Sequence, residues 1–293
     1  MNENTTASLS AAGSGTISLG GELTVNRLGF GTMRLTGEGV WGPPKDPAAA
    51  IAVLRRAVEL GINFIDTADS YGPNVSEELI AEALAPYPAN LVIATKGGWN
   101  RPGPNQWTHD ASPTHLREAV EGSLKRLRLN RIDVYQLHVP DPVIPLDASI
   151  ETLANMQMEG KIRLVALSNV TVEHIERARK IVPIASVQNR YSFADREWDY
   201  VVDYCERNGI AFIPWFPLGA GTVAGRLLER IAEARQVKPI QVALAWLLKR
   251  SPVMLPIPGT SSIAHLEENL QAASLQLAEE EYLELNGIAA LAS

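Results

Sequence analysis

Cysteine is nearly missing from this 293-residue chain, and Cys205 alone allows neither an internal disulfide nor a Cys-based zinc centre. No metal site is expected, and the scarcity of thiols fits a reducing cytoplasm. The sequence also lacks any run of about 18 or more apolar residues that would span a membrane. Residues 1–15 show no basic region followed by an apolar one, so they do not read as a signal peptide. Residues 1–12 are expected to be a disordered tail. Positive charge is the scarcer sign, with 26 Lys and Arg against 33 Asp and Glu, and no dense basic stretch offsets the net charge of -7. That balance disfavours a nucleic-acid surface and favours solubility. No Gly-x-Gly-x-x-Gly follows an apolar run, so a Rossmann dinucleotide site is not supported.

What the chain does have is an alternation of short apolar runs with helix-like segments, the pattern of an α/β fold with a parallel sheet. A hairpin is expected from Thr16–Leu19 and Leu23–Val25 around Gly20-Gly21. Strands then close at Leu28–Gly31, Asn63–Asp66, Leu91–Lys96, Ile132–His138, Arg163–Ser168, Ile184–Asn189, Ile210–Pro214 and Val253–Pro256. These eight runs imply a (β/α)₈ TIM barrel over residues 13–293, read as one domain, with an N-terminal β-hairpin and an extra C-terminal helix. Asp46-Pro47 and Ser112-Pro113 mark helix starts, each a capping side chain before a proline at the first helical position. Asn74 with Glu77 reads as a capping box for a third helix.

A barrel of this kind carries its chemistry at the C-terminal ends of its strands, so polar residues that close apolar runs are the informative ones. Asn63–Asp66 ends on an acid, Leu91–Lys96 on an amine and Ile132–His138 on an imidazole, and Tyr71 lies in the short loop after Asp66. A phenol is a weak acid at neutral pH unless its anion is stabilised, and a nearby ammonium held by a carboxylate stabilises it. Lys96 and Asp66 are therefore expected to lower the pKa of Tyr71 and make it a proton donor to a carbonyl oxygen, with His138 orienting that carbonyl. Trp41, Trp99 and Trp107, in loops after the first and third strands, are expected to wall an apolar substrate pocket. A lysine ending a barrel strand also fits a Schiff-base aldolase.

At these residues the sequence closely resembles the aldo-keto reductase family. The resemblance is carried by GINFIDTADSYG with Asp66 and Tyr71, IATKGG with Lys96 and DVYQLHVPD with His138. It implies reduction of an aldehyde or ketone by NADP(H), with NAD(H) the less favoured cofactor. It also implies that Ser168, Asn169 and Gln188 hold the nicotinamide carboxamide and that Trp215 stacks on its ring. Gly31, Thr32 and Met33, the stretch Phe216, Leu218, Gly219 and Gly221, and Gly259, Thr260, Ser261, His265, Glu268 and Asn269 complete the implied cofactor set. Many members carry Lys-Ser at the positions of Gly259-Thr260 and an arginine at that of His265, and those cations hold the ribose 2'-phosphate. This chain departs there, and a lost bidentate guanidinium is not a conservative change. The loop FGTMRLTGEGVWGPPKD and the ending PIPGTSSIAHLEEN resemble a bacterial branch that includes pyridoxal reductases. The partner expected is a small-molecule carbonyl compound, with the protein a monomer or a weak homo-oligomer. The fold also serves potassium-channel β subunits, so a cofactor-binding regulatory role is the alternative outside catalysis.

Overall fold

The structure, a computed structural model, describes residues 9–217 and 222–289. In chain order the elements are β1 (Thr16–Leu19), β2 (Leu23–Asn26), β3 (Phe30–Gly31), α1 (Pro47–Glu59), β4 (Phe64–Asp66), α2 (Val75–Leu84) and β5 (Val92–Gly97). A second hairpin, β6 (Trp99–Gly103) and β7 (Gln106–His109), precedes α3 (Pro113–Leu127), β8 (Ile132–Leu137), α4 (Leu146–Met158) and β9 (Ile162–Ser168). Then come α5 (Val172–Arg179), β10 (Ile184–Arg190), α6 (Asp199–Asn208), β11 (Ala211–Trp215), α7 (Thr222–Arg235), α8 (Pro239–Arg250), α9 (Ile263–Leu270) and α10 (Glu279–Ala289).

Seven strands form a parallel sheet in the order β11-β10-β9-β8-β5-β4-β3. The eighth stave, expected at Val253–Pro256, is an extended segment rather than a full strand. Phe212 N donates to Val253 O at 2.8 Å and Leu255 N to Phe212 O at 2.9 Å, and on its other side Gly29 N donates to Pro256 O at 3.0 Å. Those bonds join the last strand to the first and close the (β/α)₈ barrel.

Alternation along the staves sorts the side chains. Phe64, Val92, Ala94, Val134, Leu164, Ala166, Ala185 and Ile213 fill the barrel interior. Leu19 and Val25 join the same cluster, so the β1–β2 hairpin plugs the end opposite the strands' C-termini. The opposite parity faces the helices. Leu54 and Ala57 of α1, Leu79 and Ile80 of α2, and Leu116 and Val120 of α3 are buried in that outer layer. Asp46 and Ser112 cap as expected, accepting from Ala49 N and His115 N.

Two expectations change at the helix ends. Asn74 adopts a left-handed conformation, not the extended one of a capping residue, and makes no side-chain cap, and Glu77 is drawn inward. Fully buried Glu77 accepts from Thr95 Oγ1 at 2.6 Å and pairs with Arg126 at 2.7 Å, so it is unavailable for a capping box. Of the tail expected over residues 1–12, residues 1–8 lie outside the described residues. Ala11, by contrast, is buried and donates its N–H to Leu60 O at 2.9 Å, at the start of a 3₁₀ turn over Ala11–Ser14.

Candidate active site

The alternation that packs the barrel also builds its polar ring. Two residues beyond Phe64 is Asp66, two beyond Ala94 is Lys96, two beyond Val134 is Gln136 and two beyond Ala166 is Ser168. Each therefore points inward at the C-terminal rim. Lys96 Nζ lies 2.6 Å from Asp66 Oδ1 and also donates to Thr67 O at 2.8 Å. Asp66 Oδ2 accepts from Gln136 Nε2 at 2.8 Å and from Gln188 Nε2 at 2.9 Å. Three donors thus satisfy a carboxylate that is 2% exposed, as a buried charge requires.

Tyr71 reaches this pair from its loop, with Lys96 Nζ donating to the phenol oxygen at 3.4 Å. Burial raises the Tyr71 pKa, Lys96 opposes this, and Asp66 cancels much of the ammonium's field. The net direction is upward, which corrects the expected lowering: an ammonium neutralised by its own carboxylate cannot outweigh desolvation of a buried phenolate. Tyr71 is thus held as a phenol at neutral pH. Burial alone would lower the Lys96 pKa, but the charge of Asp66 outweighs it and the net direction is upward, so the amine stays charged.

His138 stands beside Tyr71, the two rings nearly perpendicular with centroids 6.0 Å apart. Burial, then Lys96 and Arg101, push its pKa well below the ordinary histidine value, so the imidazole is neutral. Its Nδ1 lies 3.4 Å from Ser70 Oγ. Asp69, between Asp66 and Tyr71 in the chain, is 8% exposed and has one carboxyl oxygen, Oδ1, without a hydrogen bond. Burial, then the charge of Glu77, push its pKa up to about 8.

Asp66, Tyr71 and His138 line a cavity of about 580 Å³. Its walls are largely aromatic: Trp99, Trp107, Trp215 and Phe216. Trp99 and Trp107 meet edge to face with centroids 5.9 Å apart, and both sit edgewise to His138. Arg101 anchors this wall, its guanidinium lying 3.7 Å from the Trp107 ring centroid. It also donates to Val40 O at 2.9 Å, Ser70 O at 2.7 Å and Gly39 O at 2.9 Å. Trp41 does not line the cavity. Its backbone is bridged to Gly72, and Arg101 lies over its ring at 5.8 Å, so it braces the wall from behind.

Among the residues expected to bind a cofactor, Gly31, Thr32, Met33, Ser168, Asn169, Gln188, Trp215, Phe216 and Gly259 line the same cavity. Asn169, left-handed at φ 58°, donates to His138 O at 3.0 Å and accepts from Trp215 Nε1 at 3.1 Å. Gln188 uses its Nε2 on Asp66, which leaves its carbonyl oxygen for another partner. Thr260 and Ser261 line an adjoining cleft of about 530 Å³. His265, Glu268 and Asn269 line neither space; His265 is exposed on α9, and Asn269 is 8% exposed. Leu218, Gly219 and Gly221 lie outside the described residues.

Sequence reading missed Gln136, Ser70, Asp69 and Arg101. Gln136 had a signal, since it shares the inward parity of His138. Ser70 and Arg101 act through contacts between loops, which no local pattern encodes.

Comparison with known proteins places these residues in context. The model of the Aldo/keto reductase family matches residues 27–290. The chain is 49% identical over 282 residues to an uncharacterized oxidoreductase of Schizosaccharomyces pombe, covering 96% of this chain and 92% of that protein. It is 47% identical over 275 residues to pyridoxine 4-dehydrogenase of Escherichia coli K12, covering 92% of this chain and 96% of that protein. Among solved structures, an aldo/keto reductase from Klebsiella pneumoniae in complex with NADP and acetate superposes with a TM-score of 0.77 at 27% identity. That match covers 94% of this chain and 95% of the other.

Proposed function

We propose that this chain, which belongs to the aldo/keto reductase family, reduces an aldehyde or ketone to an alcohol with NADPH, Tyr71 giving the proton to the carbonyl oxygen. The observation that carries this reading is the buried Lys96–Asp66 pair with the Tyr71 hydroxyl 3.4 Å from the ammonium at the wall of the cavity. A neutral phenol stands beside a cation that can stabilise its anion only as the proton leaves, which is what a proton donor at neutral pH needs. In the tautomer that carries its proton on Nε2, His138 accepts from Ser70 Oγ through Nδ1 and turns an N–H donor toward the carbonyl oxygen. We read residues 13–293 as one domain.

The residues present fit a nicotinamide cofactor. The free carbonyl oxygen of Gln188 and the Ser168 hydroxyl face the cavity where a carboxamide needs an acceptor and a donor, and Trp215 offers an apolar face beside them. When bound, the reduced cofactor supplies hydride to the carbonyl carbon. The chain's own part is to orient the carbonyl through His138, exclude water with Trp99 and Trp107, and release the Tyr71 proton.

For the substrate we infer pyridoxal or another aromatic aldehyde. The aromatic walls suit a planar ring, and the Escherichia coli relative is named for pyridoxine, an alcohol that gives pyridoxal when the hydroxymethyl group on ring carbon 4 is oxidised to an aldehyde. A Schiff-base role for Lys96 is disfavoured, because Asp66 and Thr67 O already bind an amine held in its charged form. The deciding experiment is NADPH oxidation over pyridoxal and a panel of aromatic aldehydes, with Tyr71→Phe as control. Turnover is expected to fall by about a hundredfold or more in the variant. Undiminished turnover would sink the proton-donor role.

A further inference from the structure

The active-site cavity and the adjoining cleft share three residues: Met33, Arg34 and Gly259. Among the described residues, Arg34 is the only lysine or arginine lining either space. Among the described residues it enters no ion pair and donates no side-chain hydrogen bond, whereas Arg101, next to the cavity, is committed to loop carbonyls. Arg34 is exposed, and on a chain with a net charge of -7 an unpaired guanidinium at the junction of two cavities attracts an anion to that point.

Packing explains why the charge sits at position 34 and not at 259. A Cβ on Gly259 would lie 2.5 Å from Gly31 O, and one on Gly31 would lie 2.8 Å from Ile257 O. Barrel closure thus brings the two backbones too close for any side chain at 259 unless β3 moves. The Arg34 stem packs beside that place, its Cγ 3.7 Å from where a Gly259 Cβ would be. A short 3₁₀ turn, Met33–Leu35, fixes the Arg34 backbone at the end of β3. Across the cleft stand the hydroxyls of Thr260 and Ser261. Thr260 Oγ1 accepts from Ser262 N at 3.1 Å, so its own hydrogen remains free to donate. Glu38 is the one acid on the cleft wall.

We propose that Arg34 is a specificity-determining residue whose guanidinium, with the Thr260 and Ser261 hydroxyls opposite, holds a phosphate group of the bound ligand where the two cavities meet. The proposal rests on the reductase reading above. Two ligands could bring such a group: the cofactor through its 2'-phosphate, or the substrate as a phosphorylated aldehyde. A fork of N–H donors suits phosphate oxygens in either case.

The test compares the full-length wild type with Arg34→Gln and Arg34→Lys on two matched pairs. Dissociation constants for NADP⁺ and NAD⁺ are read from quenching of tryptophan fluorescence, and kcat/KM is measured for pyridoxal and pyridoxal 5'-phosphate with saturating NADPH. Loss of a charged hydrogen bond corresponds to roughly ten- to a hundredfold. In Arg34→Gln the phosphate-bearing member of at least one pair is expected to weaken by about that factor, while its phosphate-free partner changes by less than about twofold. Arg34→Lys is expected to keep part of the preference. A change in the cofactor pair identifies the 2'-phosphate, and a change in the aldehyde pair identifies the substrate. Equal weakening of both members of each pair, or no change in either pair, overturns the role. If the wild type binds NADP⁺ yet reduces no aldehyde, the reductase reading fails while the binding arm still reports on Arg34.

Discussion

Lys96 Nζ and Asp66 Oδ1 stand 2.6 Å apart with side chains 0% and 2% exposed, so each charge depends on the other for solvation. Lys96→Met strands a buried carboxylate with only the Gln136 and Gln188 amides as donors. Urea unfolding is expected to show a loss of about 3–5 kcal/mol. Adding Asp66→Asn to that variant is expected to restore most of the stability and none of the turnover. A single variant as stable as the wild type would mean that the pair is dispensable to the fold.

The neutral His138 predicts how the protein responds to acid. Its folded-state pKa is depressed by burial and then by Lys96 and Arg101, so below the ordinary histidine value the unfolded chain binds a proton that the folded one refuses. Stability from this group is present above about pH 6.5 and is lost as the pH falls below it. The Tm of the wild type is expected to drop between pH 7 and pH 5 by more than that of His138→Gln. Parallel curves would contradict the assignment.

Asp69 works in the opposite direction. Its folded-state pKa, raised to about 8 by burial and then Glu77, means that the folded state keeps a proton the unfolded state has released. Stability therefore declines as pH climbs from the ordinary carboxylate range to about 8. Asp69→Asn removes that dependence. Its Tm is expected to exceed the wild-type value at pH 9, with the gap narrowing at pH 6; a gap independent of pH would show that Asp69 is not the titrating group.

Gly97 tests the packing behind the polar ring. A Cβ there would overlap the Tyr135 hydroxyl and lie 3.0 Å from Ala119 Cβ. Gly97→Ala is expected to cost about 1–3 kcal/mol of stability. Tyr135→Phe, which removes a buried hydroxyl that has no hydrogen-bond partner, is expected to recover part of that loss in the double variant. Additive losses in the cycle would show that the clash is relieved elsewhere.

The barrel and the polar ring at its rim were legible because one periodicity governs both. Asp66, Lys96 and His138 close apolar runs, and inward parity turns that linear fact into convergence on one rim. Tyr71 carries no periodic signal of its own; its place in the short loop after Asp66 singles it out, and the family resemblance points to the same residue. Long-range competition defeated the other readings. Glu77 has the spacing of a capping box, yet Arg126 and Thr95, distant in sequence, claim its carboxylate. Trp41 sits in a pocket-forming loop, yet it turns beneath Arg101 instead of into the cavity. The direction of the Tyr71 shift depended on how far burial outweighs a neutralised ion pair, a balance no residue pattern records.

The bonds of Arg101 bear on how the pocket could be redesigned. One guanidinium holds the tryptophan wall, the Gly39–Val40 loop and Ser70, and Ser70 in turn touches His138. Exchanging segment 99–109 for a relative's loop would release the turn between Asp66 and Tyr71 along with the wall. Substrate range and turnover are therefore expected to change together when that segment is exchanged. A retained arginine at position 101 is the condition under which that segment can be treated as an interchangeable part.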